Sequence, residues 1–458
     1  MIGRPAMQLG EGAESYPNKY LWSGARQRPM GVRAGSHRAA TVSWALLLPV
    51  LILLMLSITL RHEDSGGTFD WQIGVRIAGY SLAAMSALLA LGTRKMRIDW
   101  LMFTWALVPI CIALTAVYAP QPLFSLTAGL AHLVLLLFAW RLVNLRGQPS
   151  VALVLVLGGM IVCLLSVIAF FIFPDVGRST PDLLSGDIGG RMRGVTAQPN
   201  SLGMVSALTT LFAIMHFRAF ALLQRILAVA AIGIAGFCLI YSESRTSIAA
   251  LLICLVLWRL CRANAAFNLF AVVALALLAA VLVAFIPDIA VHFARNGGGS
   301  DELASLNGRS RIWDVAIENI QTHPILGQGY GASGLILPND ERLFSAALNS
   351  HNVYLELLFS GGAILFGLYL VSVTNSILRS VMKRRVEALI ALLFFLIVGA
   401  AEATPYAGLP LYPAFAFYIV VALCLARSPS EAQMSPAMAR RRPVFAGPRQ
   451  RPAARNSA

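Results

Sequence analysis

Charged residues are scarce in this chain, and acidic ones scarcer still: 12% of its 458 residues are charged, with 21 Asp and Glu against 36 Lys and Arg. A typical soluble domain carries about 25% charged residues, so this composition excludes an ordinary water-soluble globule. Cysteines number six, and all of them (Cys111, Cys163, Cys238, Cys254, Cys261 and Cys424) fall inside or at the ends of apolar runs. No disulfide framework is therefore indicated. The sequence holds no CxxC, HExxH or paired Cys/His spacing, and neither a metal site nor any other cofactor is expected. It also lacks Walker and GxGxxG loops, which leaves nucleotide-driven transport by this chain alone without support.

What the chain does have is oil. Hydrophobic residues make up 58% of it, arranged in runs close to the ~20 residues that a helical membrane span needs. Twelve such runs are predicted, near 41–60, 72–92, 99–118, 122–140, 151–173, 201–217, 223–241, 247–262, 266–286, 352–377, 386–401 and 407–426. The chain therefore reads as an all-α, polytopic membrane protein. A cytoplasmic N-terminal segment (1–40) precedes a transmembrane domain (41–426), and a basic, Pro- and Ala-rich cytoplasmic tail (427–458) without periodicity follows it.

Basic residues orient the bundle, because cytoplasmic loops collect Lys and Arg. With the N-terminus inside and twelve alternating spans, 26 of the 36 Lys and Arg fall on the cytoplasmic side, and both termini lie there. The net charge of +15 thus sits where membrane orientation and anionic lipid require it, and no nucleic-acid partner is expected. The longest polar loops, 174–200 and 287–351, fall on the outer face, and loops of that length in a compact bundle are usually functional or disordered. Within the larger, "RSRIWDVAIENIQTHP" has Ser310 as a cap candidate. Ile312, Trp313, Ala316, Ile317 and Ile320 follow at helical spacing, which predicts an amphipathic helix on the membrane surface with Trp313 at the interface.

The ten residual basic residues on the outer side are all arginines. Arg191 and Arg193 lie in "RMRGVTAQPNSLG", where Asn200 or Ser201 is placed to cap the next helix. Arg245 lies in "YSESRTS", and Arg309 and Arg311 in "NGRSR". Planar guanidinium groups chelate phosphate oxygens in bidentate fashion, and helix N-termini favour the same anion. The bland alternative is lipid headgroups, or pairing with Glu243, Asp187 or Asp314. Several arginines in separate loops, joined by one histidine, favour the functional reading. That histidine is His351, in "NSHNVYLELLFSGG". With Asn349 or Ser350 as cap, His351 falls in the first turn of the tenth span, and Tyr354, three residues on, shares its face. A capping or interfacial role is the alternative for it. His132, His216, His292 and His323 are weaker candidates, with His132 read as a bond across helices. Glu243 and Glu356 orient arginines, and Asp301–Glu302 and Asp340–Glu341 read as solvated loop pairs.

In this order the four segments, "RMRGVTAQPNSLG", "SESRTS", "NGRSRIW…HPILGQGYG" and "SHNVYLELLFSGG", resemble the O-antigen ligase and polymerase family of bacterial envelope enzymes, which includes exopolysaccharide repeat-unit polymerases. The resemblance covers roughly residues 185–375. It implies a glycosyltransferase-C-like membrane fold and a large periplasmic loop before the tenth helix. The implied activity is metal-independent transfer of glycan from a polyprenyl diphosphate to an acceptor hydroxyl, at the periplasmic face of a bacterial inner membrane. By the same resemblance His351 is the essential histidine and Arg193 and Arg245 hold the diphosphate. Arg309 is the loop arginine, Arg191 and Arg311 are adjacent alternatives, and Asn200 and Tyr354 join the substrate site. Implied partners are a lipid-linked oligosaccharide, an acceptor glycan, membrane lipid, and chain-length-regulating and export proteins. A polymerase is the first expectation and a ligase to lipid A-core the second. A transporter of lipid-linked glycan is a different class, which would line a cavity at mid-membrane depth with ionisable residues.

Overall fold

The computed structural model describes residues 71–92, 100–146, 148–179, 190–196, 198–262, 309–343, 348–409 and 412–426. The predicted spans at 41–60 and 266–286, both tails, His292, Asp187 and Asp301–Glu302 lie outside the described residues. The longer helices are α1 (Trp71–Gly92), α2 (Trp100–Leu114), α3 (Pro122–Arg146), α4 (Gln148–Ile172), α5 (Pro199–His216) and α6 (Leu222–Tyr241). They continue with α7 (Arg245–Arg262), α8 (Arg309–Thr322), α9 (Val353–Met382), α10 (Val386–Gly399) and α11 (Tyr412–Leu425). All except α8 fall on predicted spans. Six segments among the described residues are long and apolar enough to cross a membrane, and α1, α10 and α11 contribute shorter apolar stretches.

The bundle has an inside and an outside in the packing sense. Every residue of α11 from Ala414 to Leu425 is buried, as expected of a helix that is hydrophobic all round, and it packs on α3, α9 and α10. In contrast, α6 leaves Leu222, Leu223, Ile226, Val229 and Ile240 exposed along its outer stripe. Such a stripe suits lipid rather than water. Gly203 lets α5 approach the turn between α6 and α7 closely, since a Cβ there would run into Ser242 and Ser244.

The polar connections gather at two opposite ends. At one end Arg262 pairs with Glu387, and Arg385 donates to Leu423 O at 2.8 Å. At the other, the described parts of 174–200 and 309–351 meet the α6–α7 turn and the described part, 400–409, of the loop 400–411. Met192 N donates to Tyr241 O at 2.9 Å, Ser125 Oγ to Tyr330 O at 2.8 Å, and Asn352 Nδ2 to Ala400 O at 3.0 Å.

Helix α9 is broken. Gly361 and Gly362 leave helical geometry, Gly362 at φ 58 and ψ −157, a region essentially reserved for glycine. The segment Pro324–Gly329 lies along the break and bonds the backbone groups that it frees. Gln328 N donates to Phe359 O at 2.7 Å and Gly329 N to Ser360 O at 2.9 Å, while Ala363 N donates to Pro324 O at 2.9 Å. A broken span is tolerated where protein satisfies its backbone in this way. A Cβ on Gly362 would run into the Ile325 carbonyl, and its φ would be strained. Gly362→Ala is therefore expected to destabilise by about 1–3 kcal/mol, read as a lower melting temperature of the detergent-solubilised protein; an unchanged value would mean the break is not constrained.

Helix α8 differs from the expectation of a helix lying on the membrane. Its apolar side packs on the protein itself, with Val315 and Ala316 joining Ala332, Leu337, Leu343 and Phe359 in one cluster. Trp313 is half-buried, its Nε1 donating to Ser350 O at 3.0 Å, while Ile317 is exposed. Ser310 is the second residue of the helix rather than its cap. Asp340 is not an isolated loop charge either: Arg342 bridges it to Glu318, both at 2.8 Å, which holds the Asp340 carboxyl down to about 2.

His132 does bond across helices. Its Nδ1 lies 3.1 Å from Tyr418 Oη and its Nε2 3.4 Å from Tyr330 Oη, and Tyr330 Oη donates to Gly408 O at 2.6 Å. With the proton on Nε2 the groups form one chain from α11 through α3 to the loop 400–411. Losing a buried partner costs about 1–3 kcal/mol, so His132→Leu should lower the melting temperature by that equivalent; a neutral result would mean that the chain holds nothing.

Candidate active site

Residues far apart in sequence converge on one carboxylate. Glu402 lies in the loop just beyond α10, its backbone N–H donating to Val398 O at 2.9 Å, and it is 6% exposed. Its Oε1 accepts from Arg309 Nη2 at 2.7 Å and from Asn200 Nδ2 at 2.8 Å. Its Oε2 faces His351 Nδ1 at 3.8 Å, longer than a hydrogen bond, and that Nδ1 is buried with no hydrogen-bond partner. Arg309 also donates through Nη1 to Ala401 O, so α8 is fastened to the loop 400–411 by its first residue. Burial alone would raise the Glu402 carboxyl; the His351 imidazole and the Arg309 guanidinium override it and hold the group below the usual carboxylate range.

The second guanidinium reaches the same place through Asn200. Arg191 Nη2 donates to Asn200 Oδ1 at 2.9 Å and to Ser242 O at 2.7 Å, and its Nε lies 3.9 Å from Glu243 Oε2. Asn200 is thus not the helix cap that its position predicts: α5 begins at Pro199, and the residue before it, Gln198, makes no side-chain cap bond. The Asn200 amide instead relays between Arg191 and Glu402.

His351 also sits differently from expectation. Helix α9 is capped by Asn352, whose side chain accepts from Tyr354 N and Leu355 N, rather than by Asn349 or Ser350. His351 therefore precedes the helix, in the left-handed region at φ 48. A non-glycine residue there costs about 1–3 kcal/mol and is found where the surroundings over-determine it. Here they do. His351 N donates to Asn349 Oδ1 at 2.9 Å, and Ser350 N and Oγ donate to Glu356 Oε2 at 3.1 and 2.8 Å. Trp313 holds Ser350 O from the other side. Glu356, expected to orient an arginine, orients this turn.

The structure sorts the other candidates. Arg193 turns away from the cluster, its Nε donating to Val176 O at 2.8 Å and its Nη2 facing Asp175 O at 3.4 Å; of the pair, Arg191 is the one drawn into the cluster. Arg309 is the cluster member of the second pair, and Arg311 is exposed. Arg245 is half-buried at the start of α7, with its backbone N–H on Glu243 O at 3.1 Å. Tyr354 does not face His351, because its hydroxyl donates to Leu396 O at 2.7 Å. His216 stacks on Phe212, and His323 bonds Thr322 and Gln328. Glu402 is the residue that sequence reasoning missed. One acidic residue in "GAAEATPYAG", at the end of an apolar hairpin, is the signal that could have found it.

Together these features define a membrane-embedded helical protein with an imidazole, a carboxylate and guanidinium groups joined at one end. Residues 227–370 match the family model described as O-Antigen ligase. The chain is also 27% identical over 292 residues to the exopolysaccharide production protein ExoQ of Rhizobium meliloti (strain 1021), an alignment covering 59% of this chain and 63% of that protein. Both matches support the O-antigen ligase/polymerase family for this chain. The matched segment contains Arg245, Arg309 and His351; Arg191, Asn200 and Glu402 lie outside it.

Proposed function

We propose that the protein is a polymerase. It would transfer glycan from a polyprenyl diphosphate to the sugar hydroxyl of another lipid-linked repeat, at the periplasmic face of a bacterial inner membrane. The observation that carries this reading is the convergence of His351, Arg309 and, through Asn200, Arg191 on buried Glu402. His351 presents Nδ1 to the carboxylate, which leaves Nε2 to take the proton of the attacking hydroxyl. Glu402, 3.8 Å from Nδ1, offsets the charge that the ring gains. As the acceptor oxygen bonds to the anomeric carbon, the bond from that carbon to the carrier oxygen breaks, and the diphosphate leaves with the electron pair. Arginines preorganised at that point stabilise the growing negative charge most where water is excluded. The similarity to a protein of exopolysaccharide production supports polymerisation; the family description favours the second reading, a ligase that hands finished glycan to lipid A-core.

The two separate in one assay. Purified protein in nanodiscs receives a polyprenyl-diphosphate oligosaccharide with and without lipid A-core. Multimers and free lipid diphosphate without lipid A-core are expected; product that appears only with lipid A-core would establish the ligase. Arg191→Ala should raise KM for the donor, and a KM unchanged by it would remove Arg191 from the diphosphate site.

A further inference from the structure

Beside the charged cluster lies a cavity of about 360 Å³. We propose that it is a saccharide subsite that seats an uncharged pyranose of the acceptor, apart from the diphosphate, an assignment that rests on the transferase reading above. Its walls continue the segments that carry the cluster. Ser201 adjoins Asn200, Thr404 lies two residues beyond Glu402, and Asn349 both lines the cavity and holds the His351 N–H at 2.9 Å. A sugar in the cavity would thus lie beside the turn that carries His351.

The chemistry of the lining selects the ligand. Among the described residues no lysine or arginine lines the cavity and Glu356 is the ionisable one, so a diphosphate or a sugar carboxylate would find no cation among them to pair with. A polyprenyl chain fits no better, because it would strip water from amides and hydroxyls, among them Gln121, Thr196 and Gln198, and offer them nothing in return. A pyranose suits both halves of the surface: its hydroxyls meet those side chains, and its C–H face meets Phe124, whose other partner is the stacked Tyr330 ring, 6.1 Å away. The volume lies at the small end of the ~300–1,000 Å³ typical of ligand pockets. It accommodates the terminal one or two sugars of a glycan and leaves the rest outside.

The test uses the full chain in nanodiscs and saturation-transfer NMR with cellobiose, lactose and maltose as neutral probes, and cellobiouronic acid as the acidic one. Inorganic pyrophosphate is followed separately by phosphorus line broadening. At least one neutral disaccharide should receive saturation, more than the acid does, and saturating pyrophosphate should not displace it. Leu335→Trp at the exposed rim and Ser201→Phe deeper in should each cut that transfer roughly tenfold, with melting temperatures near that of the wild type. No transfer to any neutral sugar, transfer undiminished in both folded variants, or displacement by geranylgeraniol would overturn the assignment. Loss of pyrophosphate binding is a separate matter: if sugar transfer still responds to the two fillings, the diphosphate reading fails and the sugar site stands.

Discussion

Replacing Glu402 by alanine is expected to destabilise the protein by about 3–5 kcal/mol, the effect of removing one partner from a buried ion pair. Arg309 would keep its charge and lose its carboxylate, and the Asn200 amide would lose its acceptor. Glu402→Gln is the informative companion, because it keeps the shape and a carbonyl for Asn200 while removing the charge beside His351. It should fold, with turnover lowered by roughly a hundredfold or more, in line with the worth of a positioned acid–base group. The two variants are compared by thermal unfolding and by release of lipid diphosphate. Glu402→Gln turning over like the wild type would sink the role assigned to the carboxylate. There is also a pH signature. The folded carboxyl titrates below its ordinary 4.5, so its contribution is complete above that value and is lost as pH falls through the folded value. The wild-type melting temperature should fall in that acidic window, and the fall should flatten in Glu402→Gln.

The second large effect is expected at His351. Removal of a general base costs about 10²–10⁴ in rate, so His351→Ala should show that loss in kcat, with KM for the lipid diphosphate little changed, since the arginines remain. Single-turnover assays with enzyme in excess over donor, at varied enzyme concentration, separate the two. Equal turnover in variant and wild type would mean that the proton leaves by another route, and a loss confined to KM would make the imidazole a binding group.

Much of the architecture was legible in the sequence for a simple reason: a span announces itself through some twenty consecutive apolar residues, and that signal is local. The loop arginines and His351 were legible as residue types out of place in their surroundings. Their roles were less so. Sequence spacing could not tell Arg191 from Arg193, because the difference lies in which way each guanidinium turns: one toward Asn200, the other toward the carbonyls of residues 175 and 176. Asn200 looked like a cap because caps are recognised by neighbours in the chain, whereas its partner Glu402 is 202 positions away. The turn at His351 was misplaced by the same logic, since Asn349, Ser350 and Asn352 are all plausible caps, and the choice is made by Glu356 and Trp313 through tertiary contacts.

The seam at Gly361–Gly362 bears on how the molecule is assembled. The strip that fills it, Pro324–Gly329, precedes α9 in the chain, so it is already synthesised when the part that it joins emerges. When the glycine hinge arrives, its loose amides have a ready edge to join. The short rod Val353–Ser360, with His351 just ahead of it, is tied to that edge through its last two carbonyls, Phe359 O and Ser360 O.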